Sequence, residues 1–70
     1  MTYFSSVTAE LVNKLRKLFD DIEFINGILV FVDNEADQKK LLDFIHRGDD
    51  VTVETVTVLA LELNETRHRP

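Results

Sequence analysis

The sequence predicts one small α+β domain, with a helix, a β-hairpin, a second helix and then a third helix. Three observations favour this class. Two stretches repeat apolar residues at the spacing of an amphipathic helix. The dipeptide Asn26-Gly27 separates two short apolar runs, as in a hairpin. The stretch "DDVTVETVTVLALELNET" has strand-forming residue types at helical spacing. We expect it to form a helix, and a third strand, giving the order αββαβ, is the alternative.

Composition excludes several classes of function. A chain of 70 residues makes a single domain, residues 1–70, and without cysteine it has no disulfide or thiolate metal site. A net charge of −5, with acids spread along the chain, argues against nucleic-acid binding, which needs a basic face. The longest apolar run, Ile28–Val32, is far below the ~20 residues of a membrane helix. The N-terminal sequence lacks the pattern of a secretory signal. We therefore expect a cytoplasmic protein that binds neither nucleic acid nor membranes.

The first helix is predicted from about Thr8 to Asp20. Its apolar residues recur at the i, i+3, i+4, i+7 positions of one helical face. These residues are Leu11, Val12, Leu15, Leu18 and Phe19.

The hairpin is predicted to pair strands near Ile22–Ile25 and Ile28–Val32. Asn26 and Gly27 would form a structural type I′ turn, because both central positions of that turn need a positive φ, which Asn tolerates and Gly accepts freely. A two-residue loop fixes the register of the strands. One face of the hairpin would then carry Ile22, Phe24, Leu29 and Phe31, and the other Glu23, Ile25, Ile28, Val30 and Val32.

The second face of this hairpin is the predicted interaction surface. A solvated face of a sheet normally alternates to polar residues, and this one does not. We therefore expect it to be covered, either by this chain or by another one. The predicted partner-binding residues are Ile25, Ile28, Val30 and Val32.

The second helix is predicted over Glu35–Arg47. Asp33 or Asn34 would cap its start, and Gly48 would take the left-handed position that follows its end. Its apolar stripe consists of Leu41, Phe44 and Ile45, with Leu42 on the flank.

The C-terminal stretch supports two interpretations. Valine and threonine dominate Val51–Val58 and favour a strand. The run continues without a break for about 13 residues, however, and typical strands have about 5–6. Thr52 is a suitable N-cap for a helix whose stripe would be Val53, Val56, Leu59, Ala60 and Leu63. Periodicity therefore favours the helix.

Few residues suggest chemistry. The predicted hairpin register brings six acids near its open end, where a hard cation is one interpretation and helix capping the preferred one. These acids are Asp20, Asp21, Glu23, Asp33, Glu35 and Asp37. His46 and His68 lack a surrounding nucleophile constellation and are expected on the surface. Tyr3 and Phe4 are interpreted as a contact with the core, or alternatively as an anchor for a partner. We expect no catalytic residue, no metal and no cofactor.

The function predicted from these features is a non-enzymatic protein-interaction module, a small accessory or regulatory protein. Its partner would be another protein or a second copy, giving a homodimer, and the contact would bury apolar surface with acids at the rim. The alternative is an acidic inhibitor or antitoxin-like protein that masks a basic site on its target. An inhibitor of this kind needs its acidic residues on one face, whereas here they are mixed with lysines and arginines on each helix.

Overall fold

The computed structural model describes residues 6–48 and 50–68, with the last two of these described for the backbone only. This part of the chain forms four α-helices and no β-strand. They are α1 (Ser6–Phe19), α2 (Ile22–Phe31), α3 (Glu35–Arg47) and α4 (Val53–His68). The predicted α+β class is therefore wrong, and so is its αββαβ alternative.

The predicted hairpin is replaced by α2, which runs through Asn26 and Gly27. Asp21 caps this helix, since its Oδ1 accepts a hydrogen bond of 3.1 Å from the backbone N–H of Phe24. The i, i+3, i+7 spacing of Ile25, Ile28 and Val32 brings all three side chains into the core. Gly in a helix costs about 1 kcal/mol relative to Ala. Burial of three aliphatic side chains, at about 1.5–3 kcal/mol each, outweighs that cost.

A short turn joins α1 to α2 and is closed by aromatic packing. Asp20 ends α1 with a positive φ of 50° and donates its N–H to the carbonyl of Arg16 at 3.1 Å. The rings of Phe19 and Phe24 then meet edge to face, with their centroids 5.2 Å apart. This contact fixes the start of α2 against the end of α1.

The prediction for α3 is confirmed at both ends. Oδ1 of Asn34 accepts a hydrogen bond of 2.9 Å from the N–H of Asp37, so Asn34 is the N-cap. Gly48 adopts a left-handed φ of 74° at the C-terminal end. The first helix also forms, and it begins at Ser6 rather than near Thr8.

The C-terminal stretch forms a helix, as the spacing of its apolar residues predicted, and not the strand that its valines and threonines favour. Oγ1 of Thr52 accepts the N–H of Thr55 at 3.1 Å and caps α4 as predicted. The hydroxyls of Thr57 and Thr66 donate to the carbonyls of Val53 and Glu62, which lie one turn earlier. The helix thus satisfies these threonines internally. Tyr3 and Phe4, interpreted above as a core contact or a partner anchor, lie outside the described residues.

The core forms where all four helices meet. Its members are Leu11, Leu15, Ile25, Ile28, Val32, Leu41, Leu42, Ile45, Val56 and Ala60. The most extensive contact joins α1 to α3, followed by α2 with α4. The α1–α2 and α3–α4 contacts are smaller, and a groove lies at each of them.

Candidate functional site

The four predicted partner-binding residues do not share one surface. Ile25, Ile28 and Val32 are 1%, 3% and 0% exposed and belong to the core. Val30 is 73% exposed on the outer side of α2. A hairpin places Ile28 and Val30 on the same face, whereas a helix turns successive residues by about 100° and separates them. Asn26 and Gly27, the predicted turn, are exposed positions within α2.

The outer side of α2 keeps an apolar character. Ile22 and Val30 are 61% and 73% exposed and lie in one row with Asn26, at the i, i+4, i+8 positions. Leu29 is half-buried beside this row. A helix with apolar residues on nearly every side is usually enclosed. Part of α2 is therefore left uncovered by the residues that the structure describes.

The α1–α2 groove lies next to this row and has a volume of about 370 Å³. Its lining residues are Ala9, Val12 and Asn13 from α1 and Ile22, Ile25, Asn26 and Leu29 from α2. None of the described side chains that line it is charged, and its two polar members, Asn13 and Asn26, are carboxamides. Ile25 forms its floor, because that side chain is almost fully buried.

The α3–α4 groove differs in charge. It has a volume of about 360 Å³, and Phe44, Val58 and Leu59 supply its apolar surface. The other described lining residues are Asp50, Glu54, Thr55 and Glu62, so three carboxylates stand around an apolar floor. Within the described side chains, none of these three carboxylates takes part in an ion pair.

Hydrogen bonds hold the end of the α3–α4 groove in place. Asp50 adopts a positive φ of 54°. Oγ1 of Thr55 donates a hydrogen bond of 2.7 Å to the Asp50 carbonyl and accepts one of 2.8 Å from the N–H of Thr52. Thr55 therefore joins the first turn of α4 to the segment that precedes it.

The six predicted acids lie in two places rather than one. Asp20, Asp21 and Glu23 stand at the start of α2, and the other three follow its end. A helix of 10 residues separates the groups by about 15 Å. Asp37 accepts a hydrogen bond of 2.9 Å from the Asn34 amide. Among the side chains that the structure describes, those of residues 6–48 and 50–66, no three His, Cys, Asp or Glu are grouped as metal ligands.

His46 makes an ordinary contact between helices. Its Nε2 lies 3.5 Å from Oε2 of Glu10, and both side chains are about half exposed. The pair links the outer surfaces of α3 and α1. The His68 side chain is outside the described residues.

Two features of the structure were not predicted from the sequence. Gln38 is 5% exposed, and its Nε2 donates a hydrogen bond of 2.9 Å to the carbonyl of Val32. Its position three residues before Leu41, in the stripe of α3, was a signal for burial. The acid-rimmed α3–α4 groove was also missed, because Phe44 and Val58 belong to different helices and only the tertiary fold brings them together.

None of the helices in the described part of the chain combines the length and apolar character that a membrane crossing requires. The chain matches no protein-family model, and no similar curated protein or solved structure was found.

Proposed function

We propose that this protein is a non-enzymatic interaction module that pairs with a second copy of itself through the α1–α2 groove and the adjacent row of α2. The observation that carries this proposal is the exposure of Ile22 and Val30 beside a groove whose described lining side chains are all uncharged. Full burial of a side chain of this kind contributes about 1.5–3 kcal/mol relative to exposure in water. Pairing would remove this apolar surface from water in both copies.

The chemistry of the groove favours a second copy as the occupant. Each chain carries a net charge of −5, so two copies meet most easily through surfaces that add no charge to the contact. In a twofold dimer, each residue meets a patch identical to its own. A carboxamide both donates and accepts hydrogen bonds, so Asn13 and Asn26 are able to pair with the same groups of a partner copy. Apolar residues with neutral amides thus form a self-complementary surface.

The experiment is sedimentation of the wild type and two variants over a wide concentration range. The wild type should form a dimer. Ile22→Lys places a charge at a 61% exposed position, so it should remain folded and sediment as a monomer. Leu61→Lys is the matched control, since Leu61 is 41% exposed on α4 and lies outside the groove; this variant should still pair. A monomeric wild type at the highest concentration would refute the proposal, as would equal dimerisation of the Ile22→Lys variant.

The second candidate function is an acidic inhibitor or antitoxin-like protein that masks a basic site. One observation favours it: the three carboxylates around the α3–α4 groove. It predicts binding of a cationic partner at that groove, independently of pairing at the α1–α2 groove.

A cytoplasmic location is also part of the proposal. Disulfides are rare in the reducing cytosol, and a chain without cysteine is suited to that compartment. Fractionation of the native cells, followed by immunodetection, tests it; recovery of the protein outside the cytoplasmic fraction would refute it.

A further inference from the structure

We infer that the α3–α4 groove binds a basic amphipathic helix of another protein. This inference rests on the second candidate function and specifies its partner as a helix. It differs from self-pairing in its residues, its surface chemistry and its partner. The groove combines an apolar floor of Phe44, Val58 and Leu59 with a carboxylate rim. A helix with one apolar stripe and flanking cations is complementary to both parts.

The geometry of α4 specifies the spacing of the cations. Glu54, Val58 and Glu62 follow one another at the i, i+4, i+8 positions and form one row along the groove. At a rise of 1.5 Å per residue, the two glutamates stand about 12 Å apart along the helix axis. A helix lying along this row would meet them with Lys or Arg residues seven or eight positions apart. An apolar residue midway between those cations would cover Val58, which is 55% exposed.

Charge makes another acidic copy a poor occupant and a cationic segment a good one. The chain carries 13 acidic and 8 basic residues, so a cationic segment is attracted from a distance, and the rim directs it to this groove. The rim carboxylates are in no ion pair with described side chains, so no internal pair has to break when the helix binds.

The groove is also preorganised. The 2.7 Å hydrogen bond from Thr55 to the Asp50 carbonyl fixes the segment at one end of the groove. Glu54 and Glu62 are carried by α4 itself, so their spacing is set before binding. Because the helix backbone already holds these residues at a fixed spacing, less conformational freedom is lost on association.

The test is a fluorescence-anisotropy titration with a labelled synthetic helix. The peptide carries leucines in one stripe and lysines eight positions apart at its edge, and a matched peptide replaces the lysines with glutamate. The wild type should bind the lysine peptide, with an affinity that falls as salt is added, and should not bind the glutamate peptide. Equal binding of both peptides, or of neither, would overturn the inference.

Variants separate the groove from the charge of the whole protein. Glu54→Gln combined with Glu62→Gln should weaken binding roughly tenfold, because two ion pairs at the surface are lost. The control, Glu23→Gln with Glu35→Gln, removes the same charge at exposed positions outside the groove and should bind almost as the wild type does. Equal weakening of both double variants would show non-specific attraction and overturn the inference. Val58→Ser, at a position already 55% exposed, should also weaken binding without unfolding the chain.

Two further measurements identify the occupant and separate this inference from self-pairing. The first is sedimentation of the full-length variant that combines Glu54→Gln with Glu62→Gln, because a second copy seated in this groove would meet both side chains. If that variant no longer dimerised while the wild type did, the occupant would be another copy of this chain and the inference would be wrong. The Ile22→Lys variant should bind the designed helix as the wild type does, since Ile22 does not line this groove. Failure of dimerisation with intact peptide binding would therefore refute only the pairing proposal.

Discussion

The hydroxyl of Thr8 in α1 donates a hydrogen bond of 2.6 Å to Oε1 of Gln38 in α3. The same carboxamide donates through Nε2 to the carbonyl of Val32, at the end of α2. One buried side chain therefore ties three successive helices together. The carbonyl of Val32 lies at a helix C-terminus, where a backbone acceptor has no partner within its own helix, and Gln38 satisfies it.

Replacing Gln38 should test this link. Gln38→Met keeps a similar length but makes no comparable hydrogen bond, so the buried Val32 carbonyl loses its partner. We expect a loss of about 1–3 kcal/mol in the free energy of unfolding, measured by denaturant titration. Lys39→Met is the control, because Lys39 is exposed in the same helix. Equal effects of the two substitutions would contradict the role assigned to Gln38.

Replacing Gly27 by alanine distinguishes a helix from a hairpin, because the substitution should stabilise the one and destabilise the other. Gly27 lies within α2, and a Cβ added there would have nothing within 4 Å. Gly27→Ala should therefore stabilise the protein by about 0.5–1 kcal/mol. In a type I′ turn the same change would be destabilising, since alanine disfavours a positive φ.

The second glycine is the internal control for that measurement. Gly48 has a φ of 74°, so Gly48→Ala should cost about 1–2 kcal/mol although a Cβ there would also meet open space. Thermal and denaturant melts of both variants measure whether each substitution raises or lowers the free energy of unfolding. A destabilised Gly27→Ala variant would indicate that the chain turns at this position.

The residues around Gly27 explain why a hairpin was predicted where the chain forms a helix. Apolar residues stand at most positions from Ile22 to Val32, so the helical period of Ile25, Ile28 and Val32 is hidden among its neighbours. The Asn-Gly pair is a strong local turn signal. Local preference yielded here to burial against the other helices, which a reading of short-range pattern does not include.

At α4 the prediction of a helix was correct, and burial against the other helices again decided the structure. Val and Thr locally favour a strand, yet Val56 and Ala60, one helical turn apart in α4, are both fully buried. The two grooves were harder to predict than either helix. Each groove is built from two elements, so the position of Phe44 beside α4 residues follows from tertiary packing alone.

Ile28 and Val30 provide a direct test of which face is buried. The two residues would share one face of a hairpin, but in the helix Ile28 is 3% exposed and Val30 is 73% exposed. Ile28→Lys should unfold the protein, because it buries an unpaired charge. Val30→Lys should change the free energy of unfolding by less than about 0.5 kcal/mol. Circular dichroism melts at a concentration where the wild type is monomeric give both values, and similar losses for the two variants would contradict the helical arrangement.

Thr55 and Thr57 form a matched pair for the start of α4. Oγ1 of Thr55 joins the Thr52 N–H to the Asp50 carbonyl, whereas Oγ1 of Thr57 donates to the carbonyl of Val53 within the same helix. Valine has nearly the same shape as threonine but lacks the hydroxyl. Thr55→Val should therefore cost about 1–2 kcal/mol, since it removes two hydrogen bonds that connect separate segments.

Thr57→Val should be close to neutral, because the carbonyl of Val53 keeps its place in the hydrogen bonding of the helix. Amide hydrogen exchange adds a local measurement. The Thr52 amide should exchange faster in the Thr55→Val variant and at the wild-type rate in the Thr57→Val variant. If the Thr52 amide exchanged equally in all three proteins, its bond to the Thr55 hydroxyl would not be what orders this segment, and the α3–α4 groove would lose the support assigned to Thr55.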